Sequence, residues 1–261
     1  MATLTRDGIA LHYEVASGSA QSYLFVHGWT CNRRHFAPQA KHFIAKGHTV
    51  VSVDLRGHGA STVPEGTSIT IADFTADLAA VIDAAGLDKP IAVGHSMGGL
   101  TVLNLAAEHG DRLGGIVMVD PAPMELSEEL AQLLDDVVGA MKAGDQTQQG
   151  AFISERLFLP TDDADEKQRV RAEMLATPVH VAIAAMASIR AFDGAGVASR
   201  CRVPAMHIAA AVPLTPHARM EGMLEGVVSA QTVGAGHFNQ LLVPVQVNDM
   251  VEQFARLHVW P

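Results

Sequence analysis

The chain has 261 residues and carries 18 Lys and Arg against 28 Asp and Glu, a formal net charge of −10. This length predicts one globular domain with room for a subdomain. A hydrophobic fraction of 48% beside 18% charged residues excludes a disordered chain, which cannot bury enough apolar surface to offset its ordering entropy. The acidic balance, without a cluster of Lys or Arg, argues against nucleic acid and anionic membranes as partners.

The chain start and the cysteines indicate the compartment. Residues 1–7 read MATLTRD and lack the basic and then hydrophobic stretches of a signal peptide, and no apolar run reaches the length of a membrane span. Cys31 and Cys201 are too few for a disulfide framework and lack metal-site spacing, so we expect two unpaired thiols. The sequence therefore predicts a cytoplasmic protein without a membrane span.

Short β-rich segments alternate with longer helical ones, a pattern typical of a mostly parallel sheet with helices on both faces. The fold class is therefore α/β. Thr70 and Asp73 can cap one of the helices, and Gly47 and Gly86 favour the end of two of them. The predicted strands are residues 9–16, 23–27, 49–55, 91–94, 115–119, 203–210 and 230–233, and the predicted helices beside them are residues 32–46, 70–85, 97–108 and 246–257.

The alternation stops between Pro121 and Arg200, where no strand-like run occurs. Ser127 and the two glutamates after it suit a capped helix start, and apolar residues then recur at helical spacing. Two later apolar segments, residues 152–159 and 179–189, are separated by a polar stretch at 161–171. We expect a helical insertion here, and no linker or internal repeat divides the chain further.

Residues 94–98 read GHSMG and match G-x-S-x-G, which by itself is a weak signal. Its position is specific, because Ser96 lies where an apolar strand ends and a helix begins, the context of a nucleophile elbow. Such a turn strains the serine backbone and leaves no room for side chains two residues before or after it. Interpreting Ser96 as a helix cap explains the serine but not the glycines at both offsets.

A serine hydroxyl needs a base to act as a nucleophile near neutral pH, and the base needs an acid to orient it. The order expected along the chain is Ser, acid, His. His237 follows the last predicted strand, where a loop can return it to Ser96 at the same edge of the sheet. The alternative for His237 is a loop histidine without a catalytic task.

With these residues the chain resembles the α/β-hydrolase family over nearly its whole length. Besides GHSMGG at 94–99, residues 25–29 read FVHGW and resemble the family's oxyanion loop. Residues 54–59 read DLRGHG and are similar to the loop after the family's fourth strand, which we expect to be structural rather than catalytic. Three motifs in the right order make the resemblance specific.

The resemblance implies an eight-stranded, mostly parallel sheet with a helical cap inserted after strand 6. Residues 1–120 and 201–261 would form the α/β-hydrolase core, and residues 121–200 the cap. The backbone N–H groups of Trp29 and Met97 would bind a developing oxyanion. The Trp29 side chain can at the same time be a packing aromatic.

One part of the family pattern is missing. In most members the acid follows the seventh strand, but no carboxylate occurs from residue 194 through residue 220. We predict Asp120 in its place, because it leaves the strand beside that of the serine and adjacent strands are about 4.8 Å apart. The alternatives are that Asp120 caps a turn, or that Asp193 is the acid, although Asp193 belongs near the opposite edge. The zearalenone-type lactonases and the cofactor-free quinolone dioxygenases are similar in having the acid after the sixth strand.

These residues favour a serine hydrolase that cleaves a small, largely apolar carboxylic ester or lactone through an acyl-enzyme on Ser96, with His237 as base and Asp120 as acid. The cap would form an apolar pocket over Ser96, unless its side chains only pack helices against one another. The side chains expected to line the pocket are Leu133, Val137, Met141, Phe152, Leu157, Phe158 and Met186.

Two other functions stay open. In a cofactor-free dioxygenase or a C–C bond hydrolase the same three residues would serve, and in the dioxygenase the serine would only hydrogen-bond the substrate. A small-molecule sensor would keep the triad and signal through its cap. The chain has no zinc motif, cysteine pair or G-x-G-x-x-G, so we expect no metal ion and no other cofactor. The expected partner is a small-molecule substrate, and the expected state a monomer or homodimer.

Overall fold

The structure, a computed structural model, describes residues 1–260 and contains an eight-stranded sheet in the order β1-β2-β4-β3-β5-β6-β7-β8. β2 pairs antiparallel with β1 and β4. The six strands β4, β3, β5, β6, β7 and β8, in the order they have in the sheet, are parallel. The fold is the predicted mostly parallel α/β sheet. The strands are β1 (Ala2–Arg6), β2 (Ile9–Ala16), β3 (Ala20–Val26), β4 (His48–Val53), β5 (Ile91–His95), β6 (Gly115–Val119), β7 (Ala205–Ala209) and β8 (Val228–Gln231).

Helices cover both faces of this sheet and fill the interval between β6 and β7. Short 3₁₀ turns lie at Arg33–Phe36 and Gly110–Arg112, and a π-helical turn at Ala255–Val259 follows the last helix. The helices are α1 (Ala37–Ala45), α2 (Ile71–Ala84), α3 (Met97–His109), α4 (Glu128–Lys142), α5 (Thr147–Arg156), α6 (Ala164–Leu175), α7 (Val179–Arg190), α8 (Gly194–Ala198), α9 (His217–Met223), α10 (Asn239–Leu242) and α11 (Pro244–Phe254).

The sequence prediction missed several elements, among them β1, α6, α9 and α10, and misjudged the start of others. β1 was not predicted; it forms a hairpin with β2 through Asp7 and Gly8, which both have positive φ, 51° and 77°. The helix predicted from residue 32 begins as a 3₁₀ turn and becomes α-helical only at Ala37. The polar stretch at 161–171 is not a separator, since α6 occupies most of it, and α9 was not predicted either.

Alternate residues of β3 face the two layers of the core. Leu24 and Val26 pack in the apolar cluster that holds α2 and α3, whereas Tyr23 and Phe25 pack in the cluster that holds α1 and α11. Strands buried on both faces read as continuous apolar runs, which explains why β3, β5 and β6 were recognised in the sequence. All parallel strands end at one edge, so the residues that follow β3, β5, β6 and β8 meet there.

The helices α4 to α8, here called the inserted helices, lie over that edge. Thr177 donates its hydroxyl to the Thr30 carbonyl oxygen at 3.0 Å. Glu173 lies 3.0 Å from both the Asn32 amide nitrogen and His35 Nε2. The hydrogen bond with His35 is the main reason that the pKa of Glu173 falls to about 2. The inserted helices are therefore attached to the loop that follows β3.

Within residues 1–260, no single helix is long and apolar enough to cross a membrane, although α6 and α7, bent by 99° at their junction, together have the length and composition of a broken span. Both cysteines are buried free thiols, as predicted, and burial raises the pKa of each.

Buried neutral histidines make the fold sensitive to acid. Burial lowers the pKa of His27 to about 3 and the pKa values of His58 and His207 to about 4. In the unfolded chain a histidine has a pKa of about 6.5, so between that value and the folded pKa the unfolded state binds more protons. The stability of the fold therefore decreases as the pH falls below about 6.5.

We expect the free energy of unfolding to fall by about 1 kcal/mol per buried histidine between pH 6 and pH 5, or roughly 3 kcal/mol for these three. Urea unfolding across this pH range measures the slope. The His58→Gln variant is expected to lose about 1 kcal/mol of this pH-dependent fall. An unchanged slope in His58→Gln would contradict the assignment.

Candidate active site

Ser96 lies in the turn between β5 and α3, in a strained backbone conformation. Its φ is 54° and its ψ is −119°, a combination that residues with a Cβ rarely adopt. Its side chain makes no capping hydrogen bond to α3, so the interpretation of Ser96 as a helix cap does not hold. The serine is 8% exposed, and it lines a cavity together with His237. The strain at this one residue is consistent with a nucleophile elbow.

The glycines around Ser96 are required by close backbone contacts. A Cβ at Gly94 would lie 2.1 Å from the Gly98 carbonyl oxygen, and a Cβ at Gly98 would lie 2.2 Å from the Val26 carbonyl oxygen. Both distances are far shorter than any real contact of a Cβ. The turn therefore closes only with glycine at both positions, which is the steric reason for the motif.

His237 and Asp120 form a buried hydrogen-bonded pair. His237 Nδ1 lies 2.6 Å from Asp120 Oδ2, and the second carboxylate oxygen accepts the Ala210 backbone N–H at 3.0 Å. Asp120 follows β6, next to the strand of Ser96, and its side chain is fully buried. Asp193 instead caps α8 by accepting the Gly196 N–H at 2.9 Å. Of the two candidate acids, only Asp120 is within reach of His237.

His95, which was not considered a site residue in the sequence, supports the same loop. Its Nε2 lies 2.9 Å from the His237 carbonyl oxygen, so the neutral ring can donate this hydrogen bond. Burial, followed by the proximity of His237, lowers the pKa of His95 well below its usual value. The two rings lie 4.5 Å apart between centroids. His95 therefore fixes the backbone of His237 while remaining uncharged itself.

The backbone N–H groups of Trp29 and Met97 donate no hydrogen bond to any of residues 1–260. Met97 opens α3, where the helix dipole favours negative charge. The loop that carries Trp29 passes close to the serine, since a Cβ on Gly28 would lie 3.0 Å from Ser96 Cβ. The Trp29 indole N–H donates to the Ala182 carbonyl oxygen in α7 at 2.8 Å, which fixes this loop to the inserted helices. Two free N–H donors beside Ser96 are the arrangement needed to bind an oxyanion.

The inserted helices also contact the loop of residues 232–238, here called the histidine loop, which carries His237. The His237 N–H donates to the Leu157 carbonyl oxygen at 3.1 Å. The buried Asp162 carboxylate accepts the Gly236 N–H at 3.2 Å and the Leu159 N–H at 2.7 Å. Asp162 was not predicted from the sequence, because nothing local connects it to a loop 74 residues away.

Asp162→Ala should weaken both the fold and the site. The two backbone N–H groups would lose their acceptor, which costs about 1–3 kcal/mol for each buried group, and the melting temperature should fall by roughly 5 °C or more. We expect kcat to fall about tenfold because the histidine loop loses one of its supports. Asp163→Ala is the matched control, since Asp163 caps α6 by accepting the Glu166 N–H at 2.8 Å and is expected to affect stability alone. Equal kcat values in the two variants would show that Asp162 is only structural.

The cavity beside Ser96 has a volume of about 240 Å³ and a mostly apolar lining. This is below the range of roughly 300–1,000 Å³ typical of pockets for drug-sized ligands, so a small substrate fits best. Of the seven predicted pocket residues, four line this cavity: Leu133, Phe152, Leu157 and Met186.

The pocket prediction is wrong for Val137, Met141 and Phe158. Val137 and Met141 lie buried in the large apolar cluster that also holds α2 and α3, and Phe158 stacks on Phe238 with ring centroids 5.0 Å apart. Trp29, predicted for the oxyanion, also lines the cavity. The sequence reasoning missed the other lining residues, which are Gly28, Cys31, His95, Ala122, Pro123, Leu130, Leu134, Arg156, Met174, Ile189, Leu214 and Phe238. Most of these come from separate elements, and no spacing in the sequence connects them.

Over residues 1–260, no group of three or more His, Cys, Asp or Glu side chains is arranged to hold a metal ion.

Comparison with known proteins gives the same fold. Residues 24–172 match the family described as alpha/beta hydrolase fold. The esterase EaEST from Exiguobacterium antarcticum superposes with a TM-score of 0.86 at 20% identity, covering 96% of this chain and 97% of that one. At this identity the likeness concerns the fold alone.

Curated relatives align over only part of their length. The 2-(acetamidomethylene)succinate hydrolase of Mesorhizobium japonicum is 32% identical over 176 residues, which cover 66% of this chain and 60% of the relative. The non-heme chloroperoxidase of Burkholderia pyrrocinia is 32% identical over 124 residues, which cover 46% of this chain and 44% of the relative. The chain spans about half the length of the curated relatives it matches.

Proposed function

Because this chain belongs to the α/β-hydrolase fold family, we propose that it is a serine hydrolase that cleaves a carboxylic ester or lactone of a small, largely apolar substrate. The observation that carries the proposal is the 2.6 Å hydrogen bond between His237 Nδ1 and the buried Asp120 Oδ2, beside a cavity that His237 and the strained Ser96 both line. A nucleophile, a base and a buried acid then stand in the order of a catalytic triad.

In the proposed reaction, Ser96 Oγ attacks the substrate carbonyl carbon while His237 Nε2 takes the hydroxyl proton. The carbonyl oxygen becomes an oxyanion that accepts hydrogen bonds from the Trp29 and Met97 N–H groups. Asp120 keeps the proton on Nδ1 and stabilises the imidazolium. The C–O bond to the alcohol then breaks, the alcohol oxygen takes the proton from His237, and the acyl group remains on Ser96.

Water completes the cycle by the same route. It gives a proton to His237 and attacks the acyl carbon, and the Ser96 oxygen leaves and takes that proton back. With an ester the products are an acid and an alcohol, and with a lactone they are one hydroxy acid. We assign residues 121–200 the role of a cap, because they supply much of the apolar cavity lining. A cytoplasmic location and a monomeric or homodimeric state remain predictions.

Mass spectrometry after incubation with a fluorophosphonate tests the nucleophile, and a burst assay on p-nitrophenyl butyrate tests turnover. We expect one adduct on Ser96, a burst, and steady turnover. Ser199→Ala, which removes an exposed hydroxyl, is the control and should label and turn over like the wild type.

Other outcomes point to the other functions. An adduct without turnover of any ester or lactone would favour a sensor. No adduct, together with substrate-dependent oxygen uptake, would favour a dioxygenase that uses His237 and Asp120 for proton abstraction. Either result would overturn the hydrolase proposal.

A further inference from the structure

One positive charge in the cavity is unexplained by the proposed reaction. Arg156, the last residue of α5, lines the cavity together with Ser96 and His237. The cavity lining contains no Asp, Glu or Lys and no second Arg. The next residue, Leu157, also lines the cavity and accepts the His237 N–H through its carbonyl oxygen, so Arg156 lies on the segment that contacts the histidine loop.

The Arg156 guanidinium has no partner among residues 1–260. The chain has thirteen arginines, and the other twelve each donate at least one side-chain hydrogen bond, eight of them to a carboxylate. Arg156 forms neither a hydrogen bond nor an ion pair. A guanidinium carries five donors in a planar fork that matches a carboxylate, so the group is available for an anionic ligand.

The net charge of the chain gives this group a further role. A chain with a net charge of −10 repels anions on average, so an anionic substrate needs a local cation to enter the cavity. Arg156 is exposed and also lines the cavity, so the cation meets both solvent and the apolar lining. A single cation suits a ligand with one negative charge, such as a carboxylate, better than a phosphate, which carries more.

We propose that Arg156 binds a free carboxylate on the substrate, so that the substrate class is a small ester or lactone whose scissile carbonyl is joined through a short apolar chain to a second, ionised carboxyl group. This proposal rests on the proposed hydrolase function. The carboxylate accepts a bidentate hydrogen bond from Arg156, the apolar chain lies against Leu133, Phe152 and Met186, and the scissile carbonyl lies at Ser96. Arg156 is a specificity-determining residue and takes no part in bond breaking.

Matched pairs of esters test the proposal. Monomethyl glutarate and monomethyl adipate carry the free carboxylate, and methyl pentanoate and methyl hexanoate are neutral compounds of similar shape. Hydrolysis is followed by titration of the released acid at constant pH. The quantity compared is the ratio of kcat/KM for the half ester to kcat/KM for its neutral counterpart, since this ratio cancels general damage to the site.

We expect Arg156→Met to lower this ratio about tenfold, mainly through KM, and Arg156→Lys to lower it less, because lysine keeps the charge but loses the fork. The wild-type ratio should also fall as salt is added. Arg256→Met is the control. Arg256 lies beside Gln21 and His48, at the start of β3 and β4 and so at the opposite edge of the sheet, and its loss should leave the ratio unchanged.

The outcomes separate the two proposals. Equal ratios in wild type and Arg156→Met, with both esters hydrolysed, would overturn the carboxylate proposal and leave the hydrolase proposal intact. If the wild type hydrolyses neither ester and forms no fluorophosphonate adduct, the hydrolase proposal fails. Calorimetric binding of monomethyl glutarate to Ser96→Ala and to Ser96→Ala/Arg156→Met then decides the role of Arg156. A tenfold weaker affinity in the double variant supports it, and equal affinity or no binding by either protein overturns it.

Discussion

Replacing Ser96 by alanine is expected to lower kcat for ester hydrolysis by about 10⁶-fold, the loss typical of a missing nucleophile, while the protein remains folded. The reason is that Ser96 alone can form the acyl-enzyme in this cavity; the Cys31 thiol also lines it, but burial raises the pKa of Cys31 and keeps the thiol protonated. Fluorophosphonate labelling and steady-state kinetics on p-nitrophenyl butyrate measure the effect. Turnover retained in Ser96→Ala would mean that the serine only hydrogen-bonds the substrate.

The Ser96→Gly variant separates strain from chemistry. With φ at 54° and ψ at −119°, the serine Cβ is held in an unfavourable backbone region that costs on the order of 1–3 kcal/mol. Glycine relieves this strain but loses more entropy on folding, so Ser96→Gly should be more stable than Ser96→Ala by about 1 kcal/mol. Both variants should be equally inactive. Thermal unfolding of the pair checks this, and a less stable glycine variant would show that the turn is not strained.

The nucleophile was predictable from the sequence because the constraint on it is local. A Cβ on residue 94 would lie 2.1 Å from the Gly98 carbonyl oxygen, so the turn accepts only glycine there. This requirement can be recognised from the five-residue motif alone. The pairing of Asp120 with His237 was predictable for a different reason. Neighbouring parallel strands fix the distance between their ends, so β5 and β6 bring Ser96 and Asp120 to one place whatever the loops do.

Some of the missed elements did have local signals. Asp7 and Gly8 form a two-residue turn between alternating strands, which is among the strongest short hairpin patterns, and β1 could have been predicted from it. The polar α6 has almost no apolar face, but its N-cap and its ion pairs can be recognised in the sequence. Asp163 accepts the Glu166 N–H, and Arg169 bridges Glu166 and Glu173 at helical spacing.

The cavity was the least predictable part, because its shape depends on contacts between distant segments. Leu133 and Val137 lie one turn apart on the same apolar side of α4, yet Leu133 lines the cavity and Val137 packs inside the inserted helices. Helical spacing identifies a buried face but does not say which neighbour buries it. Asp162 and Arg156 were missed for the same reason, since a buried acceptor and an unpaired cation are recognised only once the surrounding groups are in place.

The second large effect is expected from Asp120→Asn, which should lower kcat by about 10⁴-fold with little change in the fold. Asp120 has two fixed partners: one oxygen accepts the Ala210 N–H at 3.0 Å and the other lies 2.6 Å from His237 Nδ1. An asparagine has only one oxygen, and the Ala210 N–H requires it. The amide NH₂ must then face His237 Nδ1, so the imidazole carries its proton on Nε2 and cannot accept the proton of Ser96.

Because the His237 proton moves from Nδ1 to Nε2 in Asp120→Asn, we expect a changed pH dependence as well as a lower kcat. The activity of Asp120→Asn should rise with pH more steeply than that of the wild type, because direct deprotonation of Ser96 becomes the remaining route to the nucleophile. Asp193→Asn is the control, since that residue caps α8 and should keep wild-type kcat and pH dependence. Wild-type kinetics in Asp120→Asn would instead mean that another carboxylate orients His237. A second buried carboxylate, that of Asp162 between α5 and α6, accepts the neighbouring Gly236 N–H, so Asp162→Asn would be the variant to compare.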